Sequence, residues 1–122
     1  MKNVFLSYAF NGKESDSIPS LKDELESHGI QIHDTNDFEK KGNNISSFQD
    51  SINTCDILIA FMIENYPNVA YDVGYAMSKD KKVLIVSDNS NDTSFYSEMG
   101  ATILLRDRSE TSCDILNFID NC

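Results

Sequence analysis

The residue best suited to chemistry in this chain is Asp72, because of the segments that precede it. An apolar run, residues 57–63 (ILIAFMI), is followed by Pro67 and then by residues 69–76 (VAYDVGYA), which carry the acid. A strand that turns over a proline into a helix places an acid near the helix start at the carboxyl edge of a sheet. Ligands of open α/β sheets bind at that edge. Asp72 is therefore the first candidate for a catalytic carboxylate.

We expect Asp72 in about the first turn of its helix, partly exposed, where the helix dipole favours the ionised form of its carboxyl group. The competing interpretation is a surface acid that complements the dipole and does no chemistry. Glu64, at the end of the preceding strand, is the other nearby acid to consider.

Other possible motifs are weaker. Residues 7–12 (SYAFNG) contain one glycine and no GxGxxG, which argues against an ordinary Rossmann site or a P-loop. His28 and His33 lack metal-ligand spacing and are interpreted as surface residues at element ends. The three cysteines show no metal spacing either, so no metal or other cofactor is expected.

Alternating strand and helix signals predict the elements that position Asp72. Strands are predicted at residues 4–8, 30–34, 57–63, 83–87 and 102–105, and helices between and after them, the one carrying Asp72 spanning residues 69–78. Nearly apolar strands that alternate with helices are typical of a parallel sheet covered on both faces. The prediction is an α/β, flavodoxin-like three-layer fold with a five-stranded parallel sheet in the order 2-1-3-4-5. Six residues are predicted in the core: Phe5, Leu58, Ile59, Phe61, Val83 and Ile85.

Size and charge limit the classes of function. With 122 residues, the chain is predicted to be a single domain, 1–122. A net charge of −10 and the lack of a basic tract argue against a nucleic-acid partner. No apolar run approaches the roughly 20 residues that span a bilayer, so no membrane partner is expected. An odd number of cysteines and no signal-like start favour a cytoplasmic, reduced protein.

Several segments together resemble the Toll/interleukin receptor (TIR) family. They are residues 4–8 (VFLSY), residues 29–34 (GIQIHD), the polar loop of residues 35–44 with Gly42, and residues 55–59 (CDILI). They are similar in order to that family's first strand, second strand ending in Asp, BB loop and third strand. Residues 68–76 (NVAYDVGYA) are also similar to the N-V-x-[YF]-E-L-G-Y-A pattern of prokaryotic TIR-like proteins and nucleoside 2-deoxyribosyltransferases. In both families the acid of this pattern is usually a catalytic Glu, whereas this chain has Asp72.

The resemblance implies a TIR-type enzyme that cleaves the nicotinamide–ribose bond of NAD+, as in prokaryotic antiphage defence of the Thoeris type. The product would be ADP-ribose or a cyclic or conjugated ADP-ribose signal for a downstream effector. Asp72 would be catalytic, and the substrate-binding residues would be Tyr8, Ala9, Phe10, Asp34, Phe38, Gly42 and Tyr71. Residues 34–42 would form a mobile lid, and the loop of residues 35–44 would mediate self-association.

Two alternatives remain open. The chain could be a TIR interaction module without catalysis, in which the Asp marks a lost site. It could also be a nucleoside 2-deoxyribosyltransferase or a nucleotide N-glycosidase, although residues 5–8 (FLSY) differ from the small-residue turn that more often opens that family.

Overall fold

The computed structural model describes residues 2–8, 17–34, 45–62, 66–88, 93–105 and 111–121. Strands and helices alternate along these segments. The strands are β1 (Asn3–Ser7), β2 (Gln31–Asp34), β3 (Ile57–Phe61), β4 (Lys82–Ser87) and β5 (Thr102–Leu105). The helices are α1 (Ile18–Ser27), α2 (Ile45–Thr54), α3 (Pro67–Ser78), α4 (Ser94–Glu98) and α5 (Thr111–Asp120).

The five strands form one parallel sheet in the order β2-β1-β3-β4-β5. This confirms the predicted flavodoxin-like topology. The sheet reverses its direction of growth between β1 and β3, so their carboxyl ends flank the switch point where ligands of such folds bind. At that end Ser7 of β1 is paired with Ala60 of β3.

Alternation along β1 divides the core into two layers. Val4 and Leu6 belong to an apolar cluster with α1 and α5, whereas Phe5 belongs to a cluster with α2 and α3. All six predicted core residues are buried, at 5% exposure or less. The core prediction is therefore confirmed. The core has two layers because period-two alternation of a strand sends neighbouring side chains to opposite faces.

Helix α3 begins earlier than predicted, and this changes the setting of Asp72. It starts at Pro67 rather than at Val69, with Tyr66 as its extended N-cap residue. Proline suits this place because its fixed φ matches a helix and its missing N–H needs no partner there. The first turn of α3 contains no acidic residue, so Asp72 lies in the second turn. The expectation of an acid in the first turn was wrong, and the dipole argument built on it weakens because that effect fades beyond one turn.

Among the described residues, no helix has the length and apolar character needed to cross a membrane.

Candidate active site at the carboxyl edge of the sheet

The end of β1 and the inner face of α3 bring Ser7 and Asp72 together. Ser7 follows Phe5 by two residues and therefore faces the same layer, the one covered by α2 and α3. Asp72 follows Val69 by three residues and precedes Ala76 by four, and both of these are buried. Residues at such spacing share one face of a helix. The Ser7 hydroxyl donates a hydrogen bond to Oδ2 of Asp72 at an Oγ–Oδ2 distance of 2.7 Å.

Asp72 is buried, with only 4% of its surface exposed, and Ser7 is fully buried. The expectation of a partly exposed carboxylate was wrong, as was the alternative of a surface acid, because residue 72 lies on the inward stripe of α3. Burial raises the pKa of Asp72 from 3.8 to about 6, while the hydrogen bond from Ser7 lowers it. The expected dipole stabilisation is thus outweighed by desolvation, although a group with this pKa is still mostly ionised at pH 7.

The chemistry open to such a pair is electrostatic or acid–base. A carboxylate with little water around it interacts strongly with a cation that develops nearby, because the local dielectric constant is low. Its pKa near neutrality also lets it exchange a proton at physiological pH. The Ser7 hydroxyl limits the rotation of the carboxyl group by holding one oxygen.

Tyr8 follows Ser7, but its ring lies on the other face of the sheet. The side chain is buried in the cluster with α1 and α5. Its backbone carbonyl instead faces the start of α3, where Asn68 Nδ2 donates a hydrogen bond to it over 3.4 Å. Of Tyr8, the structure brings the backbone rather than the ring to the same side as Asp72.

Tyr71 precedes Asp72 but points elsewhere, since successive helical residues are rotated by about 100°. Its side chain is 44% exposed. Gln49 Nε2 of α2 donates a hydrogen bond to the Tyr71 hydroxyl at 2.9 Å. The ring stacks on Tyr75 with centroids 6.4 Å apart. The structure therefore places Tyr71 on the outer surface between α2 and α3.

The remaining predicted residues are placed only in part. Asp34 ends β2, opposite Leu6 of β1, and so lies at the same sheet edge as Ser7. Four predicted substrate-binding residues and the second candidate acid lie outside the described residues: Ala9, Phe10, Phe38, Gly42 and Glu64. Their roles stay predictions.

Sequence reasoning missed Ser7 and Asn68. A signal for Ser7 was present, because alternation puts it on the face of β1 shared with Phe5. The apolar residues Val69, Val73 and Ala76 recur at helical spacing on the same stripe as residue 72. The two patterns together would have predicted that Asp72 faces Ser7. No comparable signal marks Asn68, whose contact is with a backbone carbonyl.

A separate cavity of about 550 Å³ lies at the opposite edge of the sheet, near the amino ends of β4 and β5. It is lined by residues that include Met77, Lys82, Met99 and Phe118, and not by Asp72 or Ser7. No group of His, Cys, Asp and Glu within the described segments could hold a metal ion. His28 is exposed and His33 is half-buried in β2.

Fold and site together define a flavodoxin-like α/β protein with a buried carboxylate at the carboxyl edge of its sheet. The structure is similar to that of the Clostridium botulinum CMP N-glycosidase BcmB, with a TM-score of 0.67, 22% identity and coverage of 98% of this chain and 99% of that one. It is also similar to the 2-deoxyribosyltransferase of Bacillus psychrosaccharolyticus, with a TM-score of 0.66, 15% identity and coverage of 84% and 85%.

The TIR domains of the activated Roq1 resistosome are similar as well, with a TM-score of 0.61, 18% identity and coverage of 75% of this chain and 60% of that one. No protein-family model matches the sequence, and no curated protein matches it. At these identities the three likenesses show a shared fold. Both families whose motifs the sequence resembles thus have solved structures with the fold of this chain.

Proposed function

We propose that this protein is an enzyme that cleaves an N-glycosidic bond of a nucleotide, with Asp72 as the catalytic carboxylate. The observation that supports this proposal most is the burial of Asp72 against Ser7 at the switch point. Burying a carboxyl group costs stability, and an apolar residue on the inner stripe of α3 would avoid that cost. Acids with raised pKa values in such positions are concentrated at functional sites.

The first substrate we propose is NAD+, as the resemblance to prokaryotic TIR proteins implies. Nicotinamide is cationic while attached to ribose and neutral after the bond breaks, so it leaves without a general acid. An ionised Asp72 would stabilise the ribosyl cation that forms at the anomeric carbon. Attack by water would give ADP-ribose, and attack by another nucleophile would give a cyclic or conjugated product. Such a product would serve as the signal in antiphage defence.

A second candidate is a nucleoside monophosphate or a deoxynucleoside, and the raised pKa of Asp72 favours it. An uncharged base leaves more readily when it receives a proton, and a carboxyl group with a pKa of about 6 holds one in roughly a tenth of molecules at pH 7. The end-to-end likeness to the CMP N-glycosidase supports the same candidate. Cleavage of either substrate uses the Asp72 carboxyl group, which must be ionised for NAD+ and protonated for a substrate with an uncharged base.

Turnover of the Asp72→Asn variant tests the proposal. The protein is incubated at high concentration with NAD+, CMP and deoxynucleosides, and released nicotinamide or base is measured by chromatography. Asp72→Asn keeps the size of the side chain and removes its charge, so turnover should fall by about 10²–10³. Asp56→Asn is the matched control, because Asp56 is exposed and precedes β3 at the other edge of the sheet. We expect it to retain wild-type turnover.

The pH profile separates the two substrates. Cleavage that needs ionised Asp72 should rise with pH and reach half its maximum near pH 6, whereas cleavage that needs protonated Asp72 should decline above that pH. Wild-type turnover in Asp72→Asn would show that Asp72 is not the catalytic carboxylate, and Glu64 would become the next candidate. If neither the wild type nor Asp72→Glu cleaves any of these compounds in any assembled state, the chain is an interaction module.

A further inference from the structure

We infer that Ser7 is a positioning residue for Asp72. The Ser7 hydroxyl fixes one oxygen of the Asp72 carboxylate and thereby sets the direction in which the other carboxylate oxygen meets the ribose. This inference rests on the proposed function and names the group that sets the geometry of its carboxylate.

The geometry of Ser7 suits this role. Its Oγ is two bonds away from the Cα atom of β1, a strand that lies between β2 and β3, and Ser7 itself is paired with Ala60 of β3. The donor therefore has one short torsion and little freedom of its own. Its hydrogen bond spans 2.7 Å and joins residues 65 apart in the sequence. The bond ties the second turn of α3 to the centre of the sheet.

The charge state of Asp72 also depends on this hydroxyl. A serine O–H donates, so it favours the ionised carboxylate over the protonated acid. In the pKa of Asp72 this hydrogen bond opposes the rise caused by burial. Among the residues whose side-chain burial the structure describes, the buried polar or charged ones are Ser7, Asp72 and Ser87, and none of these supplies a counter-charge to Asp72. Cys55 of the same layer stays neutral, because burial raises the pKa of its thiol to about 12.

The competing explanation is that the bond only holds β1 and α3 together. Ser87 provides a matched control for that explanation. It is also fully buried at the end of its strand, and its hydroxyl donates to the backbone carbonyl of Met62 at 2.9 Å. Ser87→Ala removes a hydroxyl with similar burial, but one that donates to the backbone carbonyls of Met62 and Asp88 rather than to a carboxylate.

The experiment compares Ser7→Ala, Ser7→Thr and Ser87→Ala with the wild type. The pH profile of cleavage and the 13C NMR titration of the Asp72 carboxyl carbon, assigned with Asp72→Asn, are both measured. Ser7→Ala should move the Asp72 midpoint upward by about one pH unit. Its kcat at pH 7 should fall about 10- to 100-fold with KM little changed, because the carboxylate is misplaced. With NAD+ as the substrate, the smaller ionised fraction of Asp72 adds to the fall. Ser7→Thr should restore both values, and Ser87→Ala should keep the wild-type midpoint.

The outcomes separate this inference from the proposed function. A wild-type midpoint and kcat in Ser7→Ala, or an equal shift in Ser87→Ala, overturns the role of Ser7. If the wild type cleaves no nucleotide, the proposed function fails, and the NMR titration alone decides whether Ser7 controls the carboxylate. If Ser7→Ala does not fold, Ser7→Cys, which keeps a weak donor of similar size, must shift the midpoint in the same direction.

Discussion

The hydrogen bond between Ser7 and Asp72 gives a specific partner to a carboxyl group whose burial lowers the stability of the fold. An aspartate buried at 4% exposure is unusual, since acids are rarely buried without a partner. The short side chain suits this contact, because a glutamate would carry its carboxylate about 1.3–1.5 Å further from the helix axis. If Asp72 is the catalytic carboxylate proposed above, the hydrogen bond to Ser7 gives a structural reason for Asp at a position where the families that the sequence resembles have Glu. We expect Asp72→Glu to lose that bond.

Stability should depend on pH through Asp72, with the opposite sign from an ion-paired acid. Its pKa is raised from 3.8 to about 6 in the folded protein. The folded state therefore binds more protons than the unfolded state between these values, and this contribution to stability is present below pH 4 and lost as the pH rises through 6. At pH 7 the buried charge costs about 2–3 kcal/mol.

Asp72→Asn carries no charge at any pH, so it should be more stable than the wild type by about that amount at pH 7 and nearly equal below pH 4. Urea unfolding of both proteins at the two pH values measures the difference. The exposed Asp56→Asn variant is the control and should show little change. A less stable Asp72→Asn protein at pH 7 would contradict the assigned cost of burial.

Strand β3 connects the core to the site. It lies between β1 and β4, and all of its residues are buried. Its alternate side chains enter the two apolar clusters, with Leu58 and Ala60 on the side of α2 and α3. Because Ala60 is paired with Ser7, this strand supports the backbone from which the hydroxyl reaches Asp72.

Leu58→Ala should lower the free energy of unfolding by roughly 2–5 kcal/mol, because it opens a cavity at a residue with 1% exposure. Leu116→Ala, at a half-buried position of α5, is the control and should cost clearly less. Chemical denaturation measures both. A loss below about 0.5 kcal/mol for Leu58→Ala would show that β3 does not carry the core.

The two edges of the sheet carry different features of the molecule. Asp72 lies at the carboxyl edge, whereas the cavity of about 550 Å³ opens at the other edge. The net charge of −10 opposes the approach of an anionic nucleotide, and it also opposes the association of two copies of the chain. The polar loop of residues 35–44, predicted to mediate self-association, lies outside the described residues.

If the loop completes the site of a neighbouring copy, turnover per molecule should rise with protein concentration. Phe38 is the large apolar residue of that loop, so Phe38→Ala should lower self-association in sedimentation velocity and reduce turnover together. Phe95→Ala is the control, because Phe95 is 66% exposed on α4, away from the loop in sequence. Full activity in a monomeric Phe38→Ala protein would rule out a shared site.

Local patterns in the sequence were enough to predict the sheet, its order and the core. Apolar strands such as β3 and β4 must be covered on both faces, and right-handed crossovers leave few ways to arrange five of them. The same reasoning places residue 72 at the carboxyl edge, because it depends only on which element precedes which helix.

The burial of Asp72, its hydrogen bond to Ser7 and the position of the Tyr8 ring required the three-dimensional structure. Each depends on how a helix is rotated about its axis or which face of a strand is covered, and a rotation of one residue turns a helical side chain by about 100°. Ser7 and Asp72 are 65 residues apart, so no local pattern relates them. Packing of α3 onto β3 and β4 sets that rotation, and with it the pKa of the candidate catalytic acid.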